Sequence, residues 1–111
     1  MMKKVYLISA DIDDMTLYKI GFTKRDINDR INEFKTGNAS DFNIINQFKS
    51  KWASKIETQL HKYYNKSKIK REWFSLSEND INDFIPMCEK IHNNLELIKN
   101  NNTYYLDRGD F

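Results

Sequence analysis

Glu57 and His61 are the residues whose types and spacing could do chemistry. They lie one helical turn apart in KIETQLHKYY, residues 55–64. Residues 52–65 carry Ala53, Ile56, Leu60, Tyr63 and Tyr64 at helical spacing. At about 100° per residue, Glu57 falls beside Tyr64 and adjoins that apolar stripe. A carboxylate there is partly desolvated and calls for a cation, a metal ion or hydrogen-bond donors, unless it reaches water or a nearby lysine. His61 lies on the same side. It can hydrogen-bond Glu57, bind substrate or simply flank the core.

Arg30 is the third such residue. Residues 25–36 place Ile27, Ile31 and Phe34 on one helical face. Arg30 flanks that face, whereas Arg25 falls on the far side. Arg30 can therefore reach across a groove at a sheet edge; the alternative is a boundary arginine with its stem on the apolar surface.

Charge singles out the same region. The chain's net charge is +2, but residues 49–71 hold eight basic side chains against Glu57 alone, net +7. Residues 1–48 balance at seven each, and residues 72–111 hold three basic against eight acidic groups. A block this basic is a footprint for a polyanion or a solvated lysine-rich face. A polyanion bound there would be held through its phosphates without base reading, with affinity falling steeply in salt.

These side chains need a scaffold. KVYLIS (residues 4–9) and LYKIGF (17–22) read as strands of a hairpin, with DIDDMT as a long loop between them. Residues 25–36 read as a helix with Gly37 at its C′ position. Residues 42–49 read as a strand, 52–65 as a helix, NKSKIK as a basic loop and WFSL (73–76) as a short strand. Ser77 with Asp80 resembles a capping box that opens a helical region to about residue 99. Pro86 should kink or split that region. NNNT (100–103) is a break, and YYLDRGDF is a tail or late edge strand. The class is α+β (mixed α/β), an antiparallel sheet with helices packed on it.

Composition bounds the rest. The chain has 111 residues, 40% of them apolar, enough for one core without staples. One cysteine, Cys88, excludes an internal disulfide framework and, in its apolar helical stretch, reads as core. No apolar run approaches a membrane span and the N-terminus lacks a secretory pattern, so an intracellular, non-secreted protein is expected. Lysine (14), asparagine (13) and isoleucine (13) dominate. Their AT-rich codons suggest a bacterial, phage or large-DNA-virus genome. Arg108-Gly109-Asp110 and the glycosylation-like Asn38-Ala39-Ser40 and Asn65-Lys66-Ser67 carry no argument in such a protein.

Taken in order, Val5-Tyr6-Leu7, Tyr18-Lys19-Ile20-Gly21, Arg30-Ile31, Ile56-Glu57-x-x-Leu60-His61 and Glu72-Trp73-Phe74 form a set. The set resembles the GIY-YIG endonuclease superfamily in its phage and viral branch. The resemblance implies a three-stranded antiparallel sheet flanked by helices over residues 1–76. Residues 77–111 would then be a C-terminal helical extension and tail packed on the same domain. It also implies cleavage of nucleic-acid phosphodiesters with one Mg²⁺ or Mn²⁺. Tyr6 would lie near the attacking water, and Lys19 stands where that family has its second tyrosine. Arg30 would hold the scissile phosphate, Glu57 would bind the metal, and Gly21 would allow close backbone approach. Phe34 replaces a position often His or Tyr, and the family's late asparagine has no clear counterpart.

The chemistry agrees with that expectation. A phosphodiester hydrolase needs a deprotonated nucleophile, through Tyr6 or Lys19 if its pKa is depressed, and charge stabilisation from Arg30 and a dication. One carboxylate suffices for Mg²⁺, which keeps several waters. Tyr18, Lys55, His61, Lys62, Arg71 and Trp73 are the candidate nucleic-acid contacts. Trp73 either stacks on bases or packs in the core. DNA is the first expected partner and RNA the second; a partner protein would supply specificity. A non-catalytic binding or protein-interaction module, in an anti-defence role for example, is the alternative.

Overall fold

β1 is the spine of the molecule, and its composition says why. KVYLISADI is apolar at both alternating sets of positions, as a strand covered on both faces must be. In the computed structural model it forms β1 (Lys4–Ile12), buried without interruption from Val5 to Ser9 and on to Ala10. The structure describes residues 3–12, 14–32, 42–70 and 73–101.

The remaining elements follow in chain order. They are β2 (Met15–Thr23), α1 (Ile27–Asn32), β3 (Phe42–Lys49), α2 (Ala53–Tyr63), β4 (Lys68–Lys70), β5 (Trp73–Phe74), α3 (Glu78–Asn82) and α4 (Phe84–Asn101). A 3₁₀ turn, Asn65–Ser67, joins α2 to β4. The fold is mixed α+β with a five-stranded sheet in the order β3-β1-β2-β5-β4. Every pairing is antiparallel. The three strands expected are therefore two too few. Residues 68–70, read as basic loop, pair with β5 at the sheet edge. Three residues with lysines at both ends carry no apolar alternation, so only tertiary pairing makes them a strand.

The hairpin is also tighter than expected. β1 and β2 pair from Lys4↔Thr23 out to Ile12↔Met15, so DIDDMT is mostly strand. Asp14 takes the turn with φ 65°, a left-handed backbone that aspartate tolerates better than most residues. Thr16 Oγ1 donates to Asp11 Oδ1 across it at 2.8 Å. Phe34 and Gly37, expected to finish the first helix, lie outside the described residues, as do residues 38–40 and the 102–111 tail.

The sheet carries a core on each face. On one, α2 and α4 pack Ile56, Leu60, Phe84, Cys88, Ile91 and Leu95 against Val5, Leu7, Ile20 and Phe74. On the other, Ile27 and Ile31 of α1 cover Tyr6 and Ile8, with Phe42 beside them. Period-two alternation along β1 sorts its side chains between the two.

The capping box forms: Asp80 N donates to Ser77 Oγ and Ser77 N to Asp80 Oδ2, both at 3.1 Å. The helical region splits at Asp83, which caps α3. Pro86 then falls in the first turn of α4, where a missing N–H costs little. Cys88 is fully buried, and burial pushes its thiol up to about 12. We expect the native chain to resist iodoacetamide near pH 8 and the urea-unfolded chain to react at the rate of a free thiol. Fast native labelling, followed by mass spectrometry, would contradict the core placement of α4.

Candidate functional site

Register assigns the β-strand candidates to faces. Tyr6 pairs with Gly21 and Ile8 with Lys19, so Tyr6 and Lys19 share the α1 face. Tyr18 lies on the opposite face, packed against the α2–α4 core. Tyr6 is 1% exposed and Lys19 8%. Lys19 Nζ sits 5.6 Å from the ring centre of Trp73, its cross-strand partner on β5. Trp73 in turn stacks on Phe42 at 6.2 Å. The half-buried Trp73 is thus part of an aromatic wall.

Gly21 has a role other than the one expected. A Cβ built there would lie 2.6 Å from Tyr6 Cζ and in contact with the hydroxyl oxygen. The tyrosine ring, not a substrate, occupies the space above the glycine. Arg30 is half-buried beside Ile31, and its N–H donates to Asp26 O at 3.2 Å, which closes α1 onto the loop after β2.

Glu57 and His61 belong to α2, which packs on the other face. They line an open groove of about 550 Å³ with Thr58, Lys62, Asn65 and Lys68. Their side chains are 21% and 17% exposed and approach to 3.8 Å. His61 Nε2 also meets the Ile20 carbonyl at 2.8 Å, one residue past the last β2–β5 pair. A carbonyl only accepts, so Nε2 carries the hydrogen and donates it. In the neutral ring Nδ1 is then the proton acceptor. An edge contact with Phe74 at 5.0 Å fixes the ring further. Tyr64, beside Glu57 on the helical wheel, is a core residue whose hydroxyl donates to Asp80 O at 3.4 Å. Burial pushes its pKa above the ordinary tyrosine range.

The candidates therefore form two groups, Tyr6, Lys19, Trp73 and Arg30 on the α1 face and Glu57, His61 and Lys62 at the groove. They adjoin along β2, where Lys19 turns to one face and the next residue's carbonyl receives His61. Lys55 is half-buried on α2 and does not line the groove; Arg71 and Glu72 lie outside the described residues. Thr58, Asn65 and Lys68 were not anticipated. The helix wheel could have offered Thr58, one residue from Glu57. The other two arrive through the 3₁₀ turn and β4, which leave no sequence pattern. The basic block also divides: Lys62 and Lys68 line the groove, whereas Lys51 binds Glu96 at 2.9 Å elsewhere.

Among the described residues no three His, Cys, Asp or Glu side chains gather as a metal cluster. A closed zinc-type site is thus absent from them. One partly exposed carboxylate with a histidine beside it fits an ion that draws its remaining ligands from water and phosphate oxygens, as Mg²⁺ does.

A family model described as T5orf172 domain matches residues 3–89. Uncharacterized protein 460R of Invertebrate iridescent virus 6 is 39% identical over 83 residues, which cover 69% of this chain and 36% of that protein. Reticulocyte-binding protein 2 of Plasmodium vivax (strain Belem) is 28% identical over 98 residues, 88% of this chain and 3% of that protein. The chain spans about a third of the length of the viral relative and a small fraction of the other. No solved structure matches. The resemblance to the GIY-YIG superfamily is overturned: the family matched is a different one, and no GIY-YIG model matches. The structure supplies a reason for the misreading. Tyr6 and Gly21 are packed against each other, so the two short motifs report hairpin packing, which is not specific to one family.

Proposed function

The chain belongs to the T5orf172 domain family, which is in general nuclease-like and nucleic-acid-binding, and from that premise we propose that it hydrolyses nucleic-acid phosphodiesters with one divalent ion, at low intrinsic sequence specificity. DNA is the first substrate and RNA the second. The cell interior, of a host if the gene is viral, is the place of action. The observation that carries this reading is the Glu57–His61 pair in a groove flanked by Lys62 and Lys68.

The roles follow from the chemistry of each group. Lys62 and Lys68 hold backbone phosphates. Glu57, with His61 beside it, would hold Mg²⁺ or Mn²⁺. The bound ion would supply charge stabilisation at the phosphoryl oxygens. His61, anchored through Nε2–H, offers Nδ1 to take a proton from the attacking water. Arg30 is the candidate clamp on a phosphate that extends toward the α1 face.

A second reading has its own support. Tyr6 and Lys19, the candidates for proton transfer on the strands, are almost wholly buried, Tyr6 beneath α1 and Lys19 against Trp73. A binding module on this fold would keep the basic groove and lack turnover. A metal titration separates the two. Purified chain is incubated with single-stranded, double-stranded and branched DNA and with RNA, in Mg²⁺, Mn²⁺ or EDTA. Cleavage that appears with metal and vanishes with EDTA is expected. Binding without cleavage on every substrate would favour the module, and cleavage in EDTA would remove the metal from the mechanism.

A further inference from the structure

Lysines crowd one end of the sheet, away from the groove. Lys4 of β1 stands directly opposite Lys49 of β3 in the register. Side chains so paired have Cβ atoms only about 5 Å apart, and like charges there repel. The chain then turns at Ser50, whose N–H donates to Lys3 O at 2.9 Å and whose hydroxyl accepts from Trp52 N–H at 2.9 Å. His92 Nδ1 of α4 meets the same hydroxyl at 2.7 Å. This buried knot brings the end of α4 against the start of α2.

The result is a second pair of lysines on one ring. Lys51 Nζ and Lys99 Nζ lie 5.5 Å and 6.0 Å from the centre of Trp52. Glu96 is the acid beside them, and it is already shared: Lys51 Nζ reaches its Oε1 at 2.9 Å and Trp52 Nε1 donates to it at 3.0 Å. One carboxylate thus faces two ammonium groups, while Lys4 and Lys49 stand at the same end of the sheet on the α1 face, two residues along from Tyr6 and Gln47. Glu96 favours the charged form of Lys51, and the Lys51 ammonium in turn holds Lys99 below the ordinary lysine range. Repulsion within each pair is a cost that a bound polyanion would relieve.

We propose that this sheet end, with Lys51 and Lys99 around Trp52 on the α2–α4 face and Lys4 and Lys49 on the α1 face, is a second contact surface for the phosphate backbone of nucleic acid. It rests on the nucleic-acid reading above and extends it to a second place on the molecule. From Ala53 to Lys62, α2 spans about 14 Å, a few nucleotides of backbone, so one strand can touch both surfaces. Trp52 packs against the core and holds the two ammonium groups up from its ring. The contact reads charge and spacing, not bases.

The test is binding without turnover. Anisotropy of a short labelled duplex and its single strand is followed in EDTA between about 50 and 200 mM salt, for the full chain and two triple variants. Replacing Lys49, Lys51 and Lys99 with Gln should flatten the slope of log K against log salt by about 2.7 on the duplex, roughly 0.9 for each lost phosphate contact. The Arg versions of the same three positions should restore it. Circular dichroism and Cys88 protection confirm that each variant is folded. A parent that binds, with an unchanged slope in the Gln variant, overturns this surface and leaves the groove reading intact. A parent that binds neither probe overturns both. Capture by phosphatidylserine vesicles with no nucleic-acid binding would make the patch a membrane surface instead.

Discussion

Glu57→Gln lowers metal-dependent cleavage by about 10²–10³-fold, the scale seen when one electrostatic stabiliser of a charged transition state is removed. Glutamine keeps the volume and loses the charge, so the groove should keep its shape. Glu57 is the one carboxylate among the described groove residues, and no neighbouring acid there can replace it. Its removal also takes a negative charge from a surface that must meet phosphates. In EDTA the variant should therefore bind nucleic acid as tightly as the parent or more tightly. Loss of turnover with retained or improved binding marks an interaction made in the transition state. A Glu57→Gln protein as active as the parent would sink the catalytic reading. Weakened binding with an unfolded spectrum would instead make Glu57 structural. Single-turnover cleavage and anisotropy on one preparation decide between these.

The second large effect is on stability. Gly21→Ala is expected to cost about 1–3 kcal/mol, the usual penalty for overfilling a packed core. The demand at Gly21 is for space and not for a left-handed backbone. The added methyl would meet the far end of the Tyr6 ring, 2.6 Å from Cζ and 3.1 Å from Cε1. A flexible surface ring would swing away. Tyr6 is 1% exposed and lies under Ile27 and Ile31, so it has no vacant direction. Thermal unfolding should fall by about 4–8 °C for each kcal/mol lost. In a Tyr6→Leu background the same substitution should cost much less, giving a coupling between about 0.5 and 3 kcal/mol. Additive effects of the two changes would show that the ring and the glycine do not compete for the same space.

Much of this was legible without coordinates because it rests on local periodicity. The unbroken apolar run of β1, the 3.6-residue stripe of α2 and the Ser77–Asp80 cap each express a rule that acts within one turn or one strand. Glu57 and His61 were found in the same way, since a helix places residues i and i+4 together whatever surrounds it. The family was not legible from three-residue motifs. Tyr6 and Gly21 are what any hairpin with an aromatic ring over a glycine would keep, and the match over residues 3–89 points to another family.

By itself, then, the sequence determined which segments are apolar on one face or on two, which end is capped, and that a carboxylate and an imidazole share a helix edge beside a basic block. Tertiary structure decided that β4 pairs at all, that Tyr6 and Lys19 turn to the face opposite α2, and that the basic block divides between the groove and the sheet end. The reason is physical. Helical spacing and strand alternation are set by neighbours along the chain. The partner of an edge strand, the face a helix chooses and the destination of a long lysine are set by contacts between residues far apart in it, and no local pattern encodes those contacts.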